Sequence, residues 1–469
     1  MSTELSPLPS QSVWCTSASP LTVPDGIEND FRQEPDVSDC LHRETFDVVV
    51  VGGGLAGLSA AYHLLRAQPG LRVVVLEAQT IGYGASTRSS GMLTPGIGQN
   101  LAALVKKYGA EQARMMYRTS LAAVEYLAEL SHREQMDFGL RWTGQLIVAR
   151  GHAGRQRLAR QAALMGQLNL PCRELDDVGL AGRVSISLDA PGKGPAALQL
   201  SVAGVLDPTR LVRGLAAAVL RLGGRIVENT KVEHVSSSGV DLAGGLAIRA
   251  KKVVLATNAY DLSLGMQRGR LIPMHLRMIA TRPLTESERS ALAWHQREGV
   301  IDSRRVFNYF RLTDDHRLIL GGGVPRYRWQ GGVQDLASTG PDVASLTADL
   351  RQLFPQLSGV EIERTWTGVI AYSIDTLPVI GSPTRFPNVL HVGGWCGHGI
   401  ALSVYAGRWV SDLIVGTSDA PQGLRSDHSA AELAQPWFRN QAPRVPTEIA
   451  RWCGIKLGAW STQMIDRFV

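Results

Sequence analysis

The sequence predicts an α/β fold: a domain on a buried parallel sheet, interrupted by an α+β domain with a mixed or antiparallel sheet. Two observations predict it. Continuous β-branched and aliphatic runs, the pattern of parallel strands buried on both faces, occur at 46–51, 71–76, 252–257 and 388–392. Between the second and last of these lie shorter, mixed segments with antiparallel character, so the chain leaves the parallel sheet and returns to it.

Taken in order, residues 1–45 are rich in Ser, Pro and Asp without periodicity and are expected to be a mobile extension. A helix is expected over 58–66 after the first strand, and a long one over 101–135, where Leu104, Tyr108, Met115, Leu121, Val124 and Leu127 recur at helical spacing. Residues 140–149 read as a strand. Asp207 reads as a helix cap, with Pro208 in the first turn, Leu211, Leu215 and Val219 on one face, and Gly223-Gly224 as the stop. Short strands follow at 225–228 and 231–235, then several between 272 and 324, including 305–312 and 317–320. Helices are expected at 342–354 and 399–415, and further helix signals at 446–451 and 459–468. The implied division is an extension (1–45), a discontinuous parallel-sheet domain (46–138, 204–260 and 363–425), an inserted domain (139–203 and 261–362) and a C-terminal helical extension (426–469).

Composition narrows the function classes. With 44% hydrophobic and 19% charged residues, the 469-residue chain has the makeup of a folded soluble protein of two or three domains. Its net charge of +6 comes from scattered Lys and Arg, with no basic run or nucleic-acid motif. The five cysteines (Cys15, Cys40, Cys172, Cys396 and Cys453) form no CxxC, which supports neither zinc nor a disulfide framework. HExxH, paired-carboxylate and GxSxG patterns are absent, so no metal site is expected. No apolar run is long enough to span a bilayer and no secretory pattern opens the chain, so a cytoplasmic location is expected.

The one complete chemical motif is Gly52-Gly53-Gly54-Leu55-Ala56-Gly57, a GxGxxG with a strand before it, a helix after it and Glu77 about twenty residues on. Gly52 permits the tight turn, Gly54 lets the backbone approach a pyrophosphate, and Gly57 allows close helix–strand contact. The helix start, with Leu55 and Ala56, presents unpaired amides and a positive dipole end to phosphates. Glu77, followed by Ala78, suits ribose hydroxyls and repels a 2′-phosphate, which argues against NADP. The first domain is therefore Rossmann-like. The next loop, Gly82-Tyr83-Gly84-Ala85-Ser86-Thr87-Arg88-Ser89-Ser90-Gly91, is small and hydroxyl-rich. It suits a long cofactor lying along the backbone, FAD rather than NAD.

These stretches carry a resemblance. Together with Val253-Val254-Leu255-Ala256-Thr257-Asn258-Ala259-Tyr260 and Gly393-Gly394-Trp395-Cys396-Gly397-His398-Gly399, the sequence resembles the D-amino-acid-oxidase-like flavoproteins, in particular their gamma-glutamylputrescine oxidase-like branch, over about residues 44–425. Trp366-Thr367-Gly368, Asp375–Gly381, and Tyr309-Phe310-Arg311 leading to Gly321-Gly322-Gly323 support it. The resemblance implies an FAD domain and a substrate domain. It also implies oxidation of the C–N bond of an amine or amino acid, with hydride passing to flavin N5, the imine then hydrolysing, and O2 as the usual acceptor. Arg88 stands where some relatives tether the flavin through His or Cys, so non-covalent FAD is expected, with Cys396 as the alternative tether.

On the same basis the cofactor residues extend to Gly84, Ala85, Ser86, Arg88, Ser90, Gly91 and Met92, to Val232 (adenine, through its backbone) and Thr257, and to Gly394, Gly397, His398, Gly399 and Ile400. The helix start near Gly399 is suited to face the flavin pyrimidine ring, where reduction places negative charge. Tyr309 and Arg311, two apart on a strand, are expected to share a face. Arg311 then either pairs a substrate carboxylate or is a solvated strand charge; Arg326 is a second choice. His398 either takes part in proton transfer or serves only as a hydrogen-bonding group. Trp366 and Tyr372 either line the pocket or simply pack, and His234, His275 and His391 are read as structural or surface groups. The alternatives to an oxidase are a dehydrogenase passing electrons to a quinone or partner protein, with the apolar segment 452–460 suited to a membrane surface, and a non-catalytic flavin-binding subunit. Nothing indicates the oligomeric state.

Overall fold

The computed structural model describes residues 12–15, 44–188, 192–334, 339–416, 432, 434–445 and 447–468. The extension expected over 1–45 therefore lies mostly outside the described residues, but Val13–Cys15 form a short 3-10 turn against the fold, contrary to the expectation of a mobile segment there. Residues 426–431, part of the expected C-terminal extension, also lie outside them. Helix signals expected at 446–451 and 459–468 belong to one helix, Glu448–Phe468.

Two eight-stranded sheets carry the molecule. In the first, Thr45–Val51 is central. It runs parallel to Val73–Leu76 on one side and to Ala247–Leu255 on the other. Arg225–Val227 extends the sheet beyond 73–76, and Val389–Gly393 extends it beyond 247–255, both in parallel. Val49, Val50, Val74, Val75, Val253 and Val254 have no exposed surface, as continuous β-branched runs require when both faces are covered. One face packs on helices Leu55–Ala67, Pro208–Arg221 and Gly399–Val415. The other packs on strands Val232–Ser236 and Gly239–Leu242. Helices 55–67 and 399–415 cross closely: a Cβ on Gly407 would lie 2.4 Å from the Ser59 hydroxyl oxygen.

The second sheet runs in the order Ile362–Ser373, Leu271–Thr281, Leu318–Arg326, Tyr309–Leu312, Gly299–Asp302, Gln145–Val148, Ala197–Leu200, Arg173–Leu175. All neighbours are antiparallel except 299–302 with 145–148. It is the mixed sheet that the sequence predicts. The alternation of its strands gives it two faces. Ile279, Phe310, Leu312, Leu318 and Leu320 pack against Leu346 and Leu350 of helix Gly340–Leu353. Met278, Ala280, Ile319, Trp366 and Tyr309 face the opposite way, where Val13 and Trp14 lie on them.

Several boundaries differ from expectation for local reasons. The helix expected over 101–135 is two, Leu101–Tyr108 and Ala110–Glu134, broken at Gly109 with φ +83°. The strand expected over 140–149 is confined to Gln145–Val148, because Gly144 turns the chain at φ +75°. The strand expected over 305–312 is Tyr309–Leu312. Residues 363–373, expected in the parallel-sheet domain, instead complete a strand of the second sheet, paired along its length with 271–281. Helix Gly151–Gln167 was not anticipated: its buried face is Gly154, Arg155, Leu158, Ala162 and Met165, which gives little apolar periodicity.

Candidate cofactor and substrate site

Two turns meet at the carboxyl ends of the parallel strands, the edge where open α/β sheets bind ligands. The first is the glycine fingerprint. Gly52 has φ +107°, and a Cβ there would sit 2.9 Å from the Ala256 carbonyl oxygen, so only glycine fits beside the neighbouring strand. A Cβ on Gly57 would lie 1.9 Å from the Gly52 carbonyl oxygen; that absence of side chain lets helix 55–67 begin directly on strand 45–51. Gly54 precedes the helix and, having no side chain, does not cap it. The Leu55 amide donates to Ser86 Oγ at 3.0 Å, while Ala56 and Gly57 follow in the first turn, whose amides have no acceptor within the helix.

Glu77, at the end of strand 73–76, accepts the Gly53 amide on Oε2 at 2.7 Å and the Gln79 amide on Oε1 at 3.0 Å. Burial raises its pKa above the usual carboxylate value, against the lowering by these amides. Ala78 beside it is exposed. Val232 lies one turn away, since Thr230 donates its amide to the Glu77 carbonyl at 2.8 Å. Its side chain is buried in the core of the sheet's other face. Thr257 follows strand 247–255, with its amide beside Gly52.

The loop after Gly84 runs between the sheets. Ala85–Thr87 form a 3-10 turn. The next carbonyls are each taken up from outside the loop. Thr87 O accepts from Ser12 Oγ at 2.8 Å, Arg88 O from Trp366 Nε1 at 3.0 Å, and Ser89 O from Trp14 Nε1 at 2.8 Å. Gly91 O accepts from Arg311 Nη1 at 2.9 Å and from the Leu206 amide at 2.9 Å. The amides of Ser89, Ser90 and Gly91 meet no acceptor among the described residues. Arg88 donates to the carbonyls of Tyr83 and Thr367 and lies over the Tyr83 ring, 4.7 Å from its centre. Met92 begins a two-residue strand, Met92–Leu93, paired with Gly204–Val205.

The second turn is Gly394–Gly399. Gly394 (φ +76°) and Gly397 (φ +93°) shape it, and the exposed Gly397 lies with its Cβ direction 3.6 Å from the Tyr372 hydroxyl. His398 precedes helix Gly399–Val415 without capping it. Its Nδ1 accepts the Gly98 amide at 3.0 Å, which places its proton on Nε2, close against Gly96. Burial lowers its pKa, so the ring is neutral at neutral pH. Ile400 is half-buried against the core. Burial also pushes the Tyr372 hydroxyl up to about 12.

The arginines fall elsewhere than expected. Tyr309 and Arg311 do share a face, and both meet the Trp14 cluster. Arg311 is 3% exposed, however. Its Nε donates to Leu312 O at 3.2 Å, its Nη1 to Leu206 O at 2.8 Å and to Gly91 O, and its guanidinium lies 5.2 Å from the Trp14 ring centre. It is not a solvated strand charge: through Nε and Nη1 it ties the loop to the sheet. Burial lowers its pKa to about 10. Arg326 pairs with Asp342 at 2.6 Å, together with Arg277, on the side of helix 340–353. Burial raises the Tyr309 pKa, so its hydroxyl stays protonated.

Cys396 is buried, with its Sγ 3.1 Å from the Gly394 carbonyl oxygen and its thiol pushed up to about 11. His275 and His391 are buried and His234 is exposed. Sequence reasoning missed Trp14, Gly96 and Gly98. The glycine pair, both at positive φ, was the available signal for the last two; the only signal for Trp14 was an isolated large aromatic in a polar stretch.

A strand–glycine turn–uncapped helix at one end, a second uncapped helix start at the other, and a mixed sheet facing both define an FAD-dependent oxidoreductase frame. The chain belongs to the DAO family of FAD dependent oxidoreductases, which matches residues 47–413. Gamma-glutamylputrescine oxidoreductase of Escherichia coli (strain K12) is 33% identical over 381 residues, spanning 80% of this chain and 85% of that one. Among solved structures, glycine oxidase from Geobacillus kaustophilus superposes with a TM-score of 0.65 at 22% identity, over 82% of this chain and 99% of that one. Iminodiacetate oxidase from Chelativorans sp. BNC1 does so with 0.62 at 17% identity, over 81% and 98%. FAD is accordingly the cofactor, and the close approaches at Gly52 and Gly57 with the uncapped helix start fit its diphosphate. No helix among the described residues is long and apolar enough to cross a membrane.

Proposed function

We propose that this enzyme oxidises the C–N bond of a primary or secondary amine, with O2 as electron acceptor. One observation carries the reading: where the second sheet meets the start of helix 399–415, the polar side chains at hand, Tyr372 and His398, are both neutral at neutral pH. Bound non-covalently, FAD supplies the two-electron acceptor for the oxidation. The chain's own residues do the rest. Gly52, Gly54, Leu55, Ala56 and Gly57 offer close backbone and amides to the diphosphate, and Glu77 and Ala78 stand at the ribose end, with Val232 and Thr257 beside them. Gly84, Ala85, Ser86, Arg88, Ser90, Gly91 and Met92 line the middle of the cofactor. Gly394, Gly397, Gly399 and Ile400 bring the helix start, with its positive dipole end, to the ring.

Tyr309, Met278 and Trp366 form an apolar cluster with Val13 and Trp14 on the face of the second sheet that meets the cofactor loop. Uncharged polar groups at this place favour the neutral amine, the protonation state whose lone pair assists loss of hydride from the adjacent carbon. Arg311 and Arg326 are both engaged within the protein, which favours a substrate without a carboxylate beside the reacting carbon. The gamma-glutamylputrescine oxidoreductase relationship supports the same substrate class. Anaerobic mixing with a panel of primary amines, secondary amines and α-amino acids tests this by loss of the flavin absorbance. Bleaching by amines in preference to α-amino acids is expected, with peroxide released on admitting air. A panel in which nothing bleaches the flavin refutes the reading; turnover only with an artificial dye refutes the acceptor.

A further inference from the structure

We infer that Ser12–Trp14 form a strap belonging to the cofactor site, and that Trp14 is a positioning residue that holds the Thr87–Gly91 loop and Arg311 in the arrangement that accepts FAD. The inference rests on the reading that this loop lines the cofactor. Three observations carry it. Ser12 Oγ donates to Thr87 O at 2.8 Å and Trp14 Nε1 to Ser89 O at 2.8 Å, so the strap takes up alternate carbonyls of the loop. Trp366 and Arg311 take up those of Arg88 and Gly91 from the sheet. The Trp14 ring also covers the guanidinium of Arg311, 5.2 Å from its centre, and is itself only 5% exposed among Met278, Ala280, Ile319 and Trp366.

The loop has no partner strand of its own before Met92. Its carbonyls from Thr87 to Gly91 are held by these side-chain donors, two of them from the strap, beside the Leu206 amide on Gly91 and the loop's own ties through Thr87 and Arg88. With the carbonyls drawn toward the strap and the sheet, the amides of Ser89, Ser90 and Gly91 remain without acceptors among the described residues, available to a ligand. Removing the strap frees two of the carbonyls and uncovers the arginine, so the loop samples other conformations and FAD must bear the ordering entropy on binding. By reciprocity, FAD steadies the strap.

The test uses the full-length protein stripped of FAD and titrated with FAD, following the quenching of FAD fluorescence, alongside hydrogen exchange of residues 85–92. Trp14→Ala is expected to weaken FAD by about tenfold or more and to speed exchange in the loop, with FAD partly restoring protection. Trp14→Phe, which keeps a buried ring but loses the bond to Ser89, is expected to fall between it and the wild type. An Arg88→Ala variant checks the loop itself. If Arg88→Ala weakens FAD while Trp14→Ala binds it as the wild type does, the strap inference is wrong and the loop reading stands. If neither changes affinity, the loop does not line the cofactor and both fall. Should Trp14→Ala fail to fold, Trp14→Phe combined with Ser12→Ala decides: unchanged FAD affinity and unchanged exchange in that double variant overturn the inference.

Discussion

Replacing Gly57 by Ala sets two effects of opposite sign against each other. In an ordinary helix Ala is favoured over Gly by about 1 kcal/mol. Here the added Cβ would lie 1.9 Å from the Gly52 carbonyl oxygen, and a carbon–oxygen contact needs about 3.2 Å, so helix and strand must separate by about 1.3 Å. Overpacking of that kind costs about 1–3 kcal/mol, and the obstacle is backbone rather than a movable side-chain tip. The net effect on the apoprotein is a loss of about 0–2 kcal/mol. FAD binding suffers further, because the same separation lengthens a hydrogen bond of about 2.9 Å from the helix start to about 4 Å, which breaks it. A hydrogen bond to a charged group contributes about 1.5–3 kcal/mol, so FAD should bind about 10- to 100-fold more weakly. Thermal unfolding of the apoprotein and fluorescence titration with FAD measure the two terms separately. An apoprotein as stable as the wild type, or more so, with unchanged FAD affinity, would show that the close approach of helix and strand is not what seats the diphosphate.

Three further outcomes are expected. Arg311→Met removes a buried cation that binds the Gly91 and Leu206 carbonyls and should cost about 2–4 kcal/mol of stability. It should depress turnover of amines and amino acids alike; a KM increase confined to carboxylate-bearing substrates would restore Arg311 as their receptor. Acid precipitation should release all the flavin into the supernatant, because the Cys396 thiol, pushed up to about 11 and buried, is a poor thiolate; flavin retained in the pellet contradicts that. His398 folds in its neutral form with its pKa lowered, so its contribution to stability is intact above its ordinary value of 6.5 and is lost as pH falls through the lowered one. The melting temperature should therefore decline less on acidification in His398→Asn than in the wild type, and equal declines would refute the assignment.

What the sequence made legible follows from the range over which each signal acts. The glycine turn is mostly local: Gly57 answers to Gly52 and Val50 within seven residues, and Glu77 reaches back to Gly53 across a single βαβ unit, although the crowding at Gly52 comes from the distant Ala256. The buried strands were equally legible, because β-branched runs report burial on both faces directly. Strand 362–373 was not, since its residues alternate in the half-buried manner of many surface strands and its identity comes from full-length pairing with 271–281. The role of Arg311 was hidden for a similar reason. Sequence places it beside Tyr309 on a strand face, but its partners, Gly91, Leu206 and Trp14, come from three distant parts of the chain. Trp14 shows the limit most plainly: a polar, Pro-rich context predicts disorder on average, yet one tryptophan with a surface to bury on can anchor its neighbours.

The placement of positive charge is what separates an amine site from an amino-acid site on this frame. Binding an α-carboxylate in a dry pocket requires a cation whose hydrogen bonds point into that pocket, because an unpaired carboxylate there is strongly disfavoured. Arg311 lies on the correct face of the second sheet, but its Nε and Nη1 hold main-chain carbonyls and Trp14 covers it. Arg326 and Arg277 share Asp342 on the side where helix 340–353 packs. Turning Arg311 toward a substrate would leave buried carbonyls without their donor, and turning Arg277 or Arg326 would give up one of the two ion pairs that Asp342 holds. With Tyr372 and His398 both neutral, the proposed amine reading has the substrate enter uncharged at its reacting end and carry whatever charge it has well away from it.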